Sequence, residues 1–129
     1  EKMEEHVRNC CLLSAPTGCA SFQLKFGAST LHRSFGVPVG YCGPWSKAQR
    51  EGERFRKMKR RLMQAQLFVM DEMSMIGRQM MGQIEFRIRD TLKGTLPRGT
   101  DTMYLGGRDA VLAGDPKQAP PLGDEPLCR

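Results

Sequence analysis

The chain has 129 residues, which fits one domain at about 150 residues per domain and still allows roughly two-thirds of the unfolded surface to be buried. Hydrophobic residues at 40% and charged residues at 26% are ordinary globular values and exclude both a wholly disordered chain and a disulfide-dense mini-protein. Lysine and arginine number 20 against 14 acids, a net charge of +6, which favours an anionic partner such as nucleic acid, nucleotide or an acidic surface.

The longest apolar stretches, Cys10 to Leu13 and Leu67 to Met70, are strand-sized and far too short to span a bilayer. The N-terminal Glu1-Lys2-Met3-Glu4-Glu5 has no secretory apolar region behind it, so a soluble intracellular protein is expected. Cys10, Cys11, Cys19, Cys42 and Cys128 form no C-x-x-C pair and are odd in number, so reduced, mostly buried thiols are expected rather than a disulfide framework or a zinc site. The first residue is Glu1 and the last run, Pro126-Leu127-Cys128-Arg129, has no terminating pattern, so the chain reads as a piece of something longer.

In chain order, residues 1–9 carry Met3 and Val7 four apart and predict the last turns of an amphipathic helix. Cys10 to Ala15 predicts a buried strand, broken by Pro16-Thr17-Gly18, with a short helix from Ala20 that ends near Gly27. Ser29 or Thr30 caps a short turn through His32, and Phe35 to Ser46 has loop composition. Lys47 to Gln66 predicts a helix with Phe55, Met58, Leu62 and Ala65 on one face and a strongly basic opposite face. Leu67 to Met70 is a second strand that stops at Asp71-Glu72.

Ile76, Met80, Ile84, Ile88 and Leu92 recur every four residues and predict a helix over Met75 to Leu92. Gly94 to Gly107 is loop, and Ala110 to Ala113 is a third apolar strand cut off by Gly114-Asp115-Pro116. Three strands alternating with helices predict an α/β fold with a parallel sheet, whose ligands bind at the C-terminal strand ends. The chemistry is therefore expected in Ala15 to Gly18, Asp71 to Ser74 and Gly114 to Gln118.

Each of these stretches has two readings. At Asp71-Glu72, one carboxylate can hold Mg²⁺ through a water while its neighbour orients the attacking water; equally, the pair can begin a helix, where carboxylates favour the N-terminal dipole. Gln118 can hydrogen-bond a terminal phosphate, or lie in a solvated turn built from Gly, Asp and two prolines. Thr17 and Gly18 can present a hydroxyl and backbone N–H groups to a phosphodiester, or form an ordinary loop.

Lys47 to Arg61 holds eight basic residues against Glu51 and Glu53, and reads either as a track for a nucleic-acid backbone or as a solvated helix face. A nuclear-import patch is a further reading of the same run. Trp45 and Phe35 can stack on bases or pack the loop, and Met70, Met73, Met75, Met80 and Met81 are read as core filler.

The segments LLSAPTGCAS, GASTLHRSFGVPVG, LFVMDEMSMIGRQMMGQIEFRIRDTL and VLAGDPKQAPPLGDEPL together resemble the PIF-type (petite integration frequency) 5′-to-3′ DNA helicases. The resemblance implies a P-loop NTPase fold over residues 1–129, part of a RecA-like motor domain. Its motif Ia region is 12–39, its Walker B region 67–75 and its motif III region 111–121. It also implies an ATP hydrolase that steps along single-stranded DNA in repair, recombination or telomere maintenance, in the nucleus or alternatively the mitochondrion.

By the same resemblance Asp71 is the Walker B aspartate on Mg²⁺, Glu72 the catalytic base and Gln118 the sensor of the ATP γ-phosphate. Thr17, Gly18, Ser29, Thr30 and His32 then match the strand-contacting segments. The phosphate-cradling G-x-x-x-x-G-K-[ST] loop, Walker A, is missing, and Gly-Lys occurs nowhere in the chain. The resemblance puts that loop upstream of Glu1 and a second motor domain beyond Arg129, so the chain alone is expected to be inactive. A basic single-strand-binding module without catalysis is the rival expectation. Smaller departures are Ser21, where a small apolar residue is usual, Phe26, where a second glycine is common, and Pro116 and Ala119, where larger apolar residues are common.

Overall fold

The computed structural model describes residues 1–100 and 102–127. Four parallel strands form one sheet in the order β2-β1-β3-β4, where β1 is Cys11–Ala15, β2 Ser29–Thr30, β3 Leu67–Met70 and β4 Asp109–Leu112. The sheet is parallel as expected, but it has four strands and not three. Ser29–Thr30 pairs with Ser14 and Ala15 before capping the next helix, and two polar residues leave no apolar run for a sequence pattern to register. The rest of the register aligns Cys11 to Ser14 with Leu67 to Met70, and these with Asp109 to Leu112.

The described residues form six α-helices: α1 Lys2–Cys10, α2 Gly18–Leu24, α3 Leu31–Phe35, α4 Lys47–Glu51, α5 Glu53–Gln64 and α6 Arg78–Leu92. The helix expected over Lys47 to Gln66 is two helices. Ser46 and Gln49 form a reciprocal capping box at the start of α4, and Gly52 is extended (φ −78°, ψ 155°) between α4 and α5. The helix expected from Met75 begins at Arg78 instead, because Met73–Met75 is a single 3₁₀ turn and Gly77 is extended.

The core lies on one face of the sheet. Phe68 and Met70 of β3 are fully buried against Phe35 of α3, Leu62 of α5 and the Ile84, Ile88 and Leu92 stripe of α6. The Phe35 and Phe68 rings meet edge to face at 5.5 Å. Strand β4 departs from the expected apolar strand, since it sits at the edge and all four of its residues are exposed. The methionines split in the same way: Met70 is fully buried, whereas Met73, Met75, Met80 and Met81 are half-buried at the core margin. No helix among the described residues is long and apolar enough to cross a membrane.

The segment from Phe35 to Ser46 is packed at its two ends, around Phe35 to Val37 and around Cys42 and Trp45, and exposed between them, with Val39 and Tyr41 in solvent. Arg87 is only 5% exposed, lays its guanidinium 3.9 Å from the centre of the Trp45 ring and donates from Nε to the Cys42 sulfur at 3.1 Å. The Trp45 indole N–H donates to Thr91, and its backbone N–H to Asp90. Packing therefore claims both aromatics weighed above as base-stacking candidates, with Phe35 at 0% exposure. Cys10, Cys11, Cys19 and Cys42 are free thiols as expected. Cys19 is exposed and the other three half-buried, so none belongs to the interior, and Cys128 lies outside the described residues.

Helix α6 takes its N-terminal cap from a distant segment. The Asp124 carboxylate accepts from the backbone N–H groups of Gln79 and Met80, and Arg78 N–H donates to the Glu125 carbonyl at 2.8 Å. Gly77 is required there, because a Cβ at that position would fall 2.0 Å from an Asp124 oxygen.

Gly36 ends α3 in the left-handed region at φ +63°, and a Cβ there would lie 2.7 Å from the Trp45 ring and 2.8 Å from the Met58 sulfur. Gly36→Ala is expected to cost about 2–4 kcal/mol in chemical denaturation, from backbone strain and overpacking together. Burial alone would raise the Asp124 pKa, but the backbone N–H bonds from Met80, Gln79 and Glu125 outweigh it and hold the carboxyl below the ordinary carboxylate range. A depressed folded-state value contributes stability that is present above the unfolded value and lost as pH falls through the folded one. Asp124→Ala should therefore cost about 1 kcal/mol at neutral pH and flatten the acid limb of the stability profile, read as urea midpoints across pH 2–6.

Candidate functional site

The three stretches expected to carry the chemistry lie at the C-terminal ends of adjacent strands. Strand β3 is central, and its hydrogen bonding continues past Met70 on both sides. Asp71 N–H donates to the Ser14 carbonyl at 2.9 Å, Ala113 N–H to the Met70 carbonyl at 2.9 Å, and Met73 N–H to the Ala113 carbonyl at 2.9 Å. The turn after β3 is thereby tied to β1 on one side and to the exit of β4 on the other.

Gly114 makes the second contact possible. At φ +135° its Cα presses on the neighbouring turn, where a Cβ would stand 2.8 Å from the Met73 nitrogen and 3.2 Å from the Glu72 Cα. Sequence reasoning treated Gly114 as a strand terminator and missed this role. The signal available was a glycine placed directly after an apolar run in a sheet whose strand ends converge.

Asp71 and Glu72 are both half-buried. Asp71 Oδ1 accepts from the Glu72 backbone N–H at 2.8 Å, which fixes the carboxylate and leaves its second oxygen free. Glu72 sits in the left-handed region (φ 52°, ψ 51°), and its carboxylate makes no hydrogen bond or ion pair among the described residues. The pair does not begin α6, which starts only at Arg78 and takes its cap from Asp124; Glu72 instead stands at the N-cap position of the 3₁₀ turn Met73–Met75. No cluster of three or more His, Cys, Asp or Glu able to hold a metal occurs among the described residues. A single carboxylate with a free oxygen suits Mg²⁺, which keeps most of its waters and shares its shell with substrate phosphates.

Gln118 lies in the turn after β4. Asp115 organises that turn by accepting from Lys117 N–H through its side chain at 2.9 Å and from Gln118 N–H through its carbonyl at 3.1 Å. The Gln118 side chain is exposed and without a hydrogen-bonding partner among the described residues. A cavity of about 90 Å³ between this turn and the one after β3 is lined by Met73, Ser74, Pro116 and Pro120. Ser74 Oγ is buried beside it with no hydrogen-bond partner, a polar group that sequence reading did not single out.

The strand-contact candidates gather on the other side, at the ends of β1 and β2. Thr17 Oγ1 accepts from Ala20 N–H at 3.2 Å and caps α2, whereas Thr30 Oγ1 accepts from Arg33 N–H at 3.3 Å and caps α3. The two caps are neighbours because Ala15 pairs with Thr30 in the sheet. Each capping hydroxyl still has its O–H to donate to an anion. Ser29 is less free, since its hydroxyl meets that of Ser34 at 2.6 Å. A Cβ on Gly18 would meet nothing within 4 Å, so a ligand backbone can approach closely. His32, one turn on in α3, faces a different hollow of about 620 Å³ shared with Gly40, Gln83 and Asp124. The structure thus gathers Thr17, Gly18, Ser29 and Thr30 at neighbouring strand ends and does not bring His32 into the same group.

The family model of PIF1-like helicases matches residues 2–127. The ATP-dependent DNA helicase PIF1 of Saccharomyces cerevisiae (strain YJM789) is 29% identical over 114 residues, 88% of this chain and 12% of that protein. Among solved structures, Bacteroides Pif1 bound to ssDNA superposes with a TM-score of 0.66 at 28% identity, covering 94% of this chain and 26% of that one. Bacteroides sp Pif1 in complex with ADP-AlF4 gives 0.64 at 27% identity, with 94% and 26% covered. The chain therefore spans about an eighth of the yeast protein and about a quarter of these solved chains. With the fold, the matched motifs and residues 2–127 in agreement, the chain belongs to the PIF1-like helicase family.

Proposed function

We propose that this chain is the part of an ATP-dependent DNA helicase that carries the water-activating carboxylate and one side of the single-strand track. The observation that carries the reading is the tethering of the Asp71-Glu72 turn to both neighbouring strand ends, with Gln118 in the adjoining turn. Asp71 would hold Mg²⁺ through its free oxygen, by way of a water, and Glu72 would take a proton from the attacking water. Gln118 would hydrogen-bond the terminal phosphate and respond to its loss. Bound ATP would supply the scissile phosphoanhydride and Mg²⁺ would neutralise its charge; the proposal requires a phosphate-cradling lysine that these 129 residues do not contain.

Thr17, Gly18, Ser29, Thr30 and His32 would line the strand path, where hydroxyls, backbone N–H groups and an imidazole meet phosphates and sugars. Movement 5′ to 3′, work in repair, recombination or telomere maintenance, a second motor domain, and residence in the nucleus or the mitochondrion are parts of the same proposal. They are supported by the family alone. The Bacteroides relatives captured with ssDNA and with ADP-AlF4 support the two ligands proposed here.

In the intact protein, Glu72→Gln is expected to spare ATP binding and abolish DNA-stimulated hydrolysis; turnover at the wild-type rate would remove Glu72 from the base role. Gly114→Ala tests the geometry in place of the chemistry. Its Cβ must push the two turns apart, so kcat should fall on the order of 10²-fold with nucleotide affinity changed far less. Single-strand binding with no hydrolysis in the intact protein would favour the rival non-catalytic module.

A further inference from the structure

A second hollow lies on the β2 side of the sheet, at the level where β2 is too short to cover β1. Strand β2 pairs only with Ser14 and Ala15, and the uncovered Cys11 to Leu13 form the floor of a pocket of about 380 Å³. Such a volume falls in the range of small-ligand sites, about 300–1,000 Å³. By register this floor is level with Leu67 to Val69 of β3, below the acidic pair that follows Met70. Three arginines line the pocket, Arg8 from α1, Arg33 from α3 and Arg61 from α5, and no acidic residue among the described ones does.

None of these three arginines makes an ion pair among the described residues. Burial and the positive charge of Arg33 both lower the Arg61 pKa, the mark of cations gathered without a counter-ion. A neighbouring hollow of about 440 Å³ shares Arg33 and Arg61 and adds Arg54 and Lys57, again without a carboxylate. Arg54, Lys57 and Arg61 follow i, i+3, i+7 spacing and so lie along one face of α5.

The wall of the first pocket carries an aromatic ring. Phe26 stands where the family resemblance implies a second glycine, and its backbone is in the region glycine favours: Lys25, Phe26 and Gly27 have φ of 56°, 51° and 76°. Two side-chain-bearing residues in that region are unfavourable, and the surroundings must repay them. Burial does not, because Phe26 remains 42% exposed. The Arg8 stem runs beside the turn, 3.8 Å from where a Gly27 Cβ would be.

We propose that Phe26 with Arg8, Arg33 and Arg61 forms a binding pocket for one nucleotide unit of single-stranded nucleic acid, its base stacked on the ring and its phosphates held by the guanidiniums. Arg54 and Lys57 carry the strand onward along α5. Base on aromatic with phosphate on arginine is how sequence-tolerant single-strand binders work, and guanidinium forks match phosphate oxygens in pairs. The site borders the strand-end residues assigned above, sharing Ser29 with them, but its ring and guanidiniums belong to none of them, so it stands whether or not that assignment does.

The test titrates the intact protein, without ATP, against an oligonucleotide containing 2-aminopurine, whose fluorescence is quenched on stacking. Phe26→Leu should lose affinity about tenfold together with the quench, whereas Phe26→Tyr should retain both. An abasic oligomer of equal length should bind the wild type and Phe26→Leu equally weakly. Replacing Arg8, Arg33 and Arg61 by Gln should shallow the slope of log affinity against log salt by about 2, at about 0.7 per phosphate contact.

Unchanged affinity and quench in Phe26→Leu would overturn the proposal. So would adenosine monophosphate binding as tightly as the oligomer, which would mark a free-nucleotide site, or polyglutamate competing equally well, which would mark an acidic protein surface. Should Phe26→Leu fail to fold, photocrosslinking of a 4-thiothymidine oligomer to the wild type decides. An adduct on Phe26 supports the pocket, and adducts found only elsewhere overturn it.

Discussion

The central position of β3 is the constraint on which the rest depends. Phe68 and Met70 are fully buried, so a one-residue slip of β3 would turn both away from the core and bring Leu67 and Val69 in. That single register aligns β1 and β4 with it, and the hydrogen bonds from Asp71, Met73 and Ala113 extend the alignment beyond the strands. Hydrophobic burial at Phe68 and Met70 thus decides where the carboxylate of Asp71, the next residue along the chain, stands. Core and site are parts of one ladder.

The remaining polar groups near the site serve structure first. Thr17 and Thr30 spend their acceptor lone pairs on helix caps, and Asp124 spends its carboxylate on the start of α6. A cap fixes the hydroxyl oxygen in space and leaves the proton free to point outward, which is a pre-oriented donor for an anion. Asp124 does the opposite: with both oxygens engaged by backbone N–H groups, it is a strut between the C-terminal segment and α6. Arg87 is a strut of another kind, since a cation only 5% exposed is tolerated because the Trp45 face and the Cys42 sulfur replace part of its hydration.

Much of this was legible in the sequence where periodicity carries the signal. The Ile84, Ile88, Leu92 stripe and the Phe55, Met58, Leu62 face are buried as their spacing requires. The parallel sheet followed from the alternation of apolar runs with helices, and with it the convergence of Asp71-Glu72 and the Gly114 to Gln118 turn. What escaped is what has no period. Strand β2 is two polar residues long; the break at Gly52 is a backbone excursion inside an otherwise helical charge pattern; the Asp124 cap joins residues 44 or more apart. Local sequence also cannot say which strand lies at an edge, so the exposure of all four residues of β4 was invisible in its apolar composition. Phe35 and Trp45 were undecided for the same reason, because their partners are distant in sequence: Phe68 on β3 for Phe35, and Thr91 and Arg87 on α6 for Trp45.

Among the described residues four other than glycine hold positive φ, and comparing them separates structural from functional strain. Leu105 is repaid by burial, at 9% exposure within the core cluster. Glu72 is repaid by hydrogen bonds, since its N–H is taken by Asp71 and its carbonyl by Met75 N–H, with Met73 held to Ala113 alongside. Those bonds hold the backbone and leave its carboxylate uncommitted, so the conformation is stable and the group stays available. Lys25 and Phe26 have one turn hydrogen bond between them, from Ala28 N–H to the Lys25 carbonyl, besides the Lys25 N–H that closes α2, and an exposed ring. A backbone strained toward a buried side chain is explained by packing, and one strained toward a free carboxylate by chemistry. Lys25 and Phe26 hold positive φ where α2 ends and turns, and the turn presents an exposed aromatic ring beside three arginines that make no ion pair among the described residues, the arrangement the proposed nucleotide pocket requires.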